Sequence, residues 1–242
     1  MTDWIVPGWP APPNVQALVT TRGGGFSGPP FATWNLADHV GDDPVAVAAN
    51  RARLAPLLPG APRWLAQVHG IDCIRADAVA GRTEADASWT GTPGVVCVVL
   101  TADCLPVLFC DREGTVVAAA HAGWRGLLAG VLESTVGALG RAPWELMAWL
   151  GPAIGPSAFE VGPEVRSGFV EGCPEDAAAF LSGRGGRWWA DLYALARRRL
   201  RDAGVPAVFG GGFCTATDGA RFFSYRRDGA TGRMAALVWL DR

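Results

Sequence analysis

Residues 95–121 read VVCVVLTADCLPVLFCDREGTVVAAAH, and the pattern of this stretch decides the fold. It contains apolar runs separated by short polar loops, namely Val95 to Thr101, Pro106 to Cys110 and Thr115 to Ala120. Apolar runs of this length are typical of strands that are covered on both faces of a sheet. We therefore predict neighbouring buried strands here, with Cys97 and Cys110 as packing residues.

Helix and strand patterns alternate on both sides of this stretch. Strands are predicted at Val15 to Thr21, Arg63 to His69, Glu145 to Leu150, Ala207 to Phe213 and Ala235 to Leu240. Helices are predicted from the cap residue Asp43 to Leu58, from Leu127 to Leu139 and from Asp191 to Gly204. No linker or repeat divides the sequence, so we expect one α/β (α+β) domain with mixed sheets over residues 1–242. A Pro- and Trp-rich N-terminal arm covers residues 1–14.

The composition excludes several classes of function. Of the 242 residues, 50% are hydrophobic and 18% are charged, so the chain can bury a large core. The formal net charge of −2 argues against nucleic acid or a membrane as a partner. All 21 basic residues are arginines, which excludes a lysine Schiff base and a Walker-type phosphate loop. The six cysteines form no C-x-x-C pair and no secretory leader is recognisable, so we expect a reduced, cytoplasmic protein.

Three residues of metal-binding type stand where apolar strands give way to loops: His69, Cys104 and His121. If these strands are neighbours, the three side chains converge at one edge of a sheet. Two imidazoles and one thiolate can hold zinc with an open fourth position, where bound water ionises near neutral pH. The residues alone also allow ordinary packing without a metal. A third alternative is a hydrolase in which Cys104 is the nucleophile and His121 its base.

Copper is a further alternative for the same three residues. A blue-copper site uses two histidines, one cysteine and a weak axial methionine, for which Met147 or Met234 is available. A multicopper oxidase needs many more imidazoles. After His69 and His121, His39 is the one remaining histidine of the sequence. A multicopper centre therefore requires ligands from elsewhere.

Two arginines are candidates for holding an anion. Arg22 begins a triple-glycine loop, and Arg125 lies in a Gly-Trp-Arg-Gly turn. Guanidinium groups bind phosphate in a bidentate manner, and glycines let backbone N–H groups approach it. The arginine cluster at Arg197 to Arg201 is predicted to be a solvated helix face, and Asp86 receives no role from its position in the sequence.

The motifs QVHG at 67–70, TADCLPVL at 101–108 and HAGWRG at 121–126 resemble the laccase-domain family, which is also called YfiH-like or polyphenol oxidase-like. Shorter motifs along the whole chain fit the same family, among them TTRGG at 20–24, VGDDP at 40–44, GPAIG at 151–155 and FFSYRRD at 222–228. The resemblance implies a single domain of layered helices and mixed β-sheets, akin to the catalytic domain of cytotoxic necrotizing factor. It also implies a zinc ion held by His69, Cys104 and His121.

The activity that the resemblance implies is phosphorolysis of purine nucleosides, with deamination of adenosine as a side activity. Adenosine, inosine, guanosine and methylthioadenosine are then the expected substrates, with phosphate as the second substrate. The older family name implies copper-dependent oxidation of phenols, so the metal is zinc or copper. A homodimer is one assembly that the sequence allows.

The same resemblance suggests roles for individual residues. The candidate catalytic residues are Cys104, His121, Arg125 and Asp103. Asp103 would orient a metal ligand or move a proton. The candidate binding residues for substrate and phosphate are Arg22, Asn35 and Arg125.

Overall fold

Two β-sheets packed face to face form the centre of the fold in a computed structural model, which describes residues 4–241. Within that range the strands are β1 (Trp4–Ile5), β2 (Val15–Thr20), β3 (Pro62–Arg63), β4 (Leu65–Ala66), β5 (Cys73–Arg75), β6 (Thr83–Glu84), β7 (Ala87–Thr90), β8 (Val96–Thr101), β9 (Leu105–Asp111), β10 (Val117–Ala122), β11 (Leu146–Leu150), β12 (Glu160–Val161), β13 (Phe180–Ser182), β14 (Trp188–Ala190), β15 (Ala207–Gly210) and β16 (Met234–Leu240). The helices are α1 (Pro44–Leu54), α2 (Trp124–Ala129), α3 (Val131–Ala138), α4 (Pro163–Gly172), α5 (Leu192–Asp202) and α6 (Tyr225–Asp228).

The larger sheet has six strands in the order β15-β11-β9-β10-β7-β5. Its outermost strands, β15 and β5, run parallel to their neighbours, and the inner pairs are antiparallel. The register of the hairpin places His121 of β10 opposite Pro106 of β9. The end of β10 that carries His121 therefore lies beside the start of β9, which directly follows Cys104.

The second sheet has five strands in the order β1-β2-β16-β8-β3, with β3 parallel to β8 and the other pairs antiparallel. Strand β8 leads into β9 of the six-stranded sheet through residues 102–104. The loop that carries Cys104 thus crosses from one sheet to the other. Two small sheets, β12-β14-β13 and β4-β6, lie outside this pair.

The alternation of side chains along β8 shows how the layers stack. Cys97 and Val99 pack between the two sheets together with Leu108 of β9. Val96 and Val98 face the other way and pack with residues of α1 and the segment before it. Helices α2 to α5 cover the outer face of the six-stranded sheet. A period of two along a strand produces this arrangement, and the predicted layers of helices and mixed sheets are confirmed.

Several predicted elements differ from the structure. Arg63 to His69 is not one strand, because β3 and β4 join different sheets and the chain then turns at His69, which has φ +62°. The helix predicted at Leu127 to Leu139 is interrupted at Gly130, where φ is +105°. The strand predicted at Ala207 to Phe213 is shorter, since β15 ends in a run of positive-φ glycines.

The arginine cluster Arg197 to Arg201 is not a uniformly solvated face. Arg198 pairs with the buried carboxylate of Asp176, and Arg199 pairs with Glu133 at 3.2 Å. These pairs tie α5 to its neighbours in the outer layer, so the prediction is wrong for both residues. No helix within residues 4–241 combines the length and the apolar composition that crossing a membrane requires.

Candidate metal centre

The loop that carries Cys104 is anchored through its neighbour Asp103. The Asp103 carboxylate accepts hydrogen bonds from Thr215 Oγ1 and from the backbone N–H of Arg226, both at 2.6 Å. The Asp103 carbonyl accepts another from the N–H of Ile154 at 2.9 Å. Asp103 has φ +93°, so the chain turns sharply between β8 and β9. These contacts fix the loop, and none of the described ones joins Asp103 to a histidine.

The loop that carries His69 is held against the end of β8. The side chain of Gln67 accepts a hydrogen bond from the N–H of Leu100 at 2.7 Å and donates one to the Leu100 carbonyl at 2.8 Å. This pair satisfies both backbone groups of Leu100 as an adjacent strand would. It brings the following residue pair, Val68 and His69, to the place where β8 ends.

Asp86 connects the two histidine segments from a fully buried position. Its Oδ1 accepts from His121 Nδ1 at 2.8 Å and from the N–H of His69 at 3.0 Å. Its Oδ2 accepts from the N–H groups of Val68 at 3.1 Å and Gly70 at 2.6 Å. Because His121 Nδ1 donates to Asp86, the lone pair of His121 Nε2 is left for a ligand.

His69, Cys104 and His121 converge, as predicted. Their ligand atoms all lie within 4.8 Å of one another, and Cys104 Sγ is 3.8 Å from His69 Nε2. Bond lengths of about 2.3 Å for Zn–S and 2.1 Å for Zn–N put two ligand atoms of one ion about 3.5 to 4 Å apart. A Cβ at Gly123 would lie 2.9 Å from both Cys104 Sγ and the His69 ring. The donor atoms therefore suit zinc, the Cys104–His69 pair has the spacing of two ligands of one ion, and a side chain at residue 123 would crowd the group.

The charges of the group are strongly coupled. Burial by itself raises the pKa of the Cys104 thiol, but the charge of His121 and hydrogen bonds from both imidazoles lower it to about 6. Burial by itself lowers the pKa of His121, but the Cys104 thiolate and Asp86 raise it to about 9. The metal-free group is therefore a thiolate–imidazolium pair at neutral pH. Metal binding releases the proton of His121, since a ligating imidazole must be neutral.

A cavity of about 400 Å³ opens beside His69, Cys104 and His121. Its walls include the predicted Arg125 and two arginines that the sequence analysis did not single out, Arg226 and Arg233. The third histidine, His39, also lines it. The volume falls in the range of about 300–1,000 Å³ that is usual for small-molecule pockets.

The three arginines differ in how they are held. Arg233 donates from Nη1 to the carbonyls of Thr231 and Gly232 at 2.8 and 3.0 Å, and burial lowers its pKa. Arg226 donates to the carbonyl of Glu160 at 2.9 Å. Arg125 is exposed, lies 4.4 Å over the Trp124 ring and has no hydrogen-bond partner in the described part of the chain.

Two residues predicted to bind substrate or phosphate do not line this cavity. Arg22 donates to the carbonyls of Ala32 and Gly219 and lies over the Phe223 ring. Asn35 is fully buried, and its Oδ1 accepts from the backbone N–H of Arg233 at 2.9 Å. Asn35 therefore supports a cavity residue from behind.

The residues missed by the sequence analysis are Asp86, Arg226, Arg233 and His39 as a cavity residue. No local pattern distinguishes Asp86, because its partners are separated from it by 16 to 35 positions along the chain. Arg226 could have been named as a candidate, because it belongs to the motif FFSYRRD, which is part of the family resemblance.

Comparisons with known proteins show the family to which this chain is related. A family model described as multi-copper polyphenol oxidoreductase laccase matches residues 16–241. A purine nucleoside phosphorylase of Pseudomonas aeruginosa is 59% identical over 242 residues, covering 100% of both chains. The purine nucleoside phosphorylase YfiH of Escherichia coli is 54% identical, covering 99% of this chain and 100% of the relative.

Solved structures are similar over the same length. The crystal structure of a Neisseria meningitidis protein superposes with a TM-score of 0.96 at 52% identity, covering 99% of both chains. That of YlmD from Geobacillus stearothermophilus gives a TM-score of 0.91 at 34% identity, covering 99% of this chain and 96% of the other.

Proposed function

The chain belongs to the family of multi-copper polyphenol oxidoreductase laccases, and from that premise we propose that it is a zinc-dependent purine nucleoside phosphorylase. Adenosine, inosine, guanosine and methylthioadenosine are the proposed substrates, and deamination of adenosine is a side activity. The names of its relatives support the phosphorylase reaction. The observation that carries the proposal is a His–Cys–His group and three arginines around one cavity.

The proposed metal is zinc rather than copper. His69, Cys104 and His121 would hold the ion, with Asp86 fixing the orientation of His121. Bound zinc would supply a Lewis acid and a water molecule that ionises near neutral pH, which suits deamination. Within residues 4–241 no second group of metal-binding side chains accompanies this one, whereas a four-copper centre needs several more imidazoles. The reduced cytoplasm is the proposed compartment, because all six cysteines are free.

The three arginines of the cavity supply the positive charge that phosphorolysis needs to hold phosphate. Phosphate attacks the ribosyl carbon as the bond to the purine breaks, so a dianion must be held beside a sugar that becomes positively charged. Arg233 presents its guanidinium from a half-buried position, where charge-assisted hydrogen bonds are strong. Arg125 and Arg226 add positive charge at the rim of the cavity. Deamination uses water and needs no bound phosphate.

Product analysis tests this proposal. The purified protein is incubated with adenosine, with and without phosphate, and the products are separated by chromatography. We expect adenine and ribose 1-phosphate in a phosphate-dependent reaction, together with a smaller amount of inosine. Colourless protein with about one zinc per chain supports the metal assignment. Intense visible absorbance with phenol oxidation and no nucleoside cleavage would establish the copper oxidase instead.

A hydrolase with Cys104 as nucleophile is the second candidate. The observation in its favour is the low pKa of the Cys104 thiol beside the protonated His121, because such pairs activate cysteine nucleophiles. The two candidates respond oppositely to removal of the metal. A chelator abolishes the zinc-dependent reactions, whereas a cysteine hydrolase keeps its activity and loses it on alkylation.

A further inference from the structure

His39 has not been given a role in the reaction, although it lines the same cavity as the metal ligands. Its side chain is 47% exposed, so it is accessible to a small molecule. The imidazole lies on the segment that follows Asn35, the residue that supports Arg233. His39 and Arg233 thus both line the cavity, and the imidazole lies on its own segment of the lining.

The other ionisable groups of the cavity are already engaged. His69, Cys104 and His121 form the metal group. The carboxylate of Asp103 is occupied by its two loop hydrogen bonds. Arginine does not give up its proton at neutral pH. Among the side-chain types that remain on the described wall, imidazole is the one that exchanges a proton readily near neutral pH.

A carboxylate lies beside one edge of the His39 ring. Its Nδ1 lies 3.5 Å from Asp38 Oδ1, and Asp38 Oδ2 lies 3.4 Å from Arg51 Nη2. Arg51 is itself held, since its Nε donates to the Leu36 carbonyl at 3.0 Å. His39 Nε2 has no hydrogen-bond partner among residues 4–241. An imidazole that is oriented at Nδ1 and open at Nε2 is arranged to pass a proton to a ligand.

Resting on the phosphorylase reaction proposed above, we propose that His39 is the proton donor to the leaving purine. As the bond between C1′ and N9 breaks, its electron pair stays with the purine, and a phosphate oxygen forms the new bond to C1′. The Nε2–H of the His39 imidazolium gives its proton to N7 of the purine, which leaves as a neutral base. The neutral imidazole regains a proton from the monoprotonated phosphate ester or from water, which completes the balance.

Two substrates test the inference in the zinc-loaded enzyme. Inosine needs protonation of its leaving base, whereas 7-methylinosine already carries a methyl group at N7 and leaves as a neutral base without a donor. We expect His39→Gln to lower kcat for phosphorolysis of inosine by about 100-fold or more. The same variant should cleave 7-methylinosine at close to the wild-type rate.

Controls separate this role from structural ones. Zinc content is measured in each preparation, because His39→Gln should bind zinc as the wild type does. Tyr225→Phe removes the hydroxyl of another cavity residue, and we expect its ratio of rates for the two substrates to equal that of the wild type. Asp38→Asn should give a weaker version of the His39→Gln pattern, because it acts through His39.

The outcomes distinguish this inference from the function on which it rests. If the wild type releases no ribose 1-phosphate from either substrate, the proposed function fails and the donor role fails with it. If the wild type is a phosphorylase but His39→Gln slows both substrates equally, or slows neither, the donor role alone is overturned. Loss of zinc from His39→Gln, or the selective pattern in Tyr225→Phe, would overturn it as well.

Discussion

Two strands and the loop between them carry three thiols with opposite chemistry. Cys97 in β8 and Cys110 in β9 lie in apolar surroundings, and burial raises the pKa of each to about 12. Cys104 lies in the loop that joins these strands, where burial also acts, but His121 and His69 lower its pKa to about 6. The comparison teaches that desolvation raises the pKa of all three thiols, although Cys104 is half-buried and the other two are buried. The charged neighbours that meet at the strand ends decide which thiol is ionised near neutral pH.

The largest expected difference between the two environments is in thiol labelling. In metal-stripped protein at pH 7, Cys104 should react as a thiolate, whereas Cys97 and Cys110 should stay protonated thiols that are also buried. Labelling of Cys104 should rise as pH passes about 6, because alkylation requires the thiolate, and zinc should block it. The three thiols share one tryptic peptide between Arg82 and Arg112, so mass spectrometry of that peptide reports them all. Equal labelling of the three cysteines would contradict the difference between their environments.

Substitution of the same thiols should separate function from stability. We expect Cys104→Ala to lose zinc and more than about 100-fold in nucleoside turnover, since removing a ligand exceeds the usual 10- to 100-fold effect of removing a group that orients a ligand. Its thermal unfolding should stay cooperative, because the layered core is untouched. Cys97→Ala is the matched control, which should keep zinc and turnover and lose about 1 kcal/mol of stability. Full zinc occupancy in Cys104→Ala would contradict the site.

Substitution of Arg125 tests what a positive charge at the rim of the cavity contributes to each reaction. We expect Arg125→Ala to lower phosphorolysis by a factor of about 10 to 150, which corresponds to the ~1.5–3 kcal/mol of a charge-assisted contact. Deamination should change less, because it requires no phosphate. Rates of both reactions are measured on the same samples, with the exposed Arg201→Ala as control. An equal loss in both reactions would mean that Arg125 shapes the metal loop instead.

Substitution of Asp86 tests whether one carboxylate orients the segments of both His69 and His121. We expect Asp86→Asn to weaken zinc binding by about 10- to 100-fold, because the amide can no longer accept from four donors on two ligand segments. Competition with a chelator measures the affinity. Asp77→Asn is the control, since Asp77 contacts Thr90 and Arg75 away from the ligands. Equal affinities in the two variants would separate Asp86 from the metal site.

The buried strands and the convergence of His69, Cys104 and His121 could be predicted from the sequence because their signals are local. Apolar runs of strand length identify β8, β9 and β10. The caps at Asp43 and Asp191 were predicted correctly for the same reason, since each side chain accepts from an N–H two or three residues later. Residues at strand ends then become candidates by position, and the structure brings His69, Cys104 and His121 together.

The remaining parts depend on contacts that no local pattern reports. Asp86 has no motif, because its partners lie on other segments of the chain. Arg22 was predicted to bind phosphate from its glycine loop, yet tertiary folding engages its guanidinium with backbone carbonyls. Arg233 precedes β16 and belongs to none of the motifs singled out in the sequence, and its place on the cavity wall follows from the return of β16 beside β8. The positions of these three side chains therefore depend on contacts between segments that are distant in the sequence.

The left-handed backbone of His69 sets a limit on directed evolution of this protein. A residue with a side chain is less stable than glycine in that conformation by about 1 kcal/mol, so His69→Gly relaxes the turn. A library selected for heat resistance of the metal-free protein alone would accept this change, although it deletes a proposed metal ligand. Stability and activity thus oppose each other at residue 69. Thermostable lineages need a turnover screen in every round, or position 69 has to be withheld from randomisation.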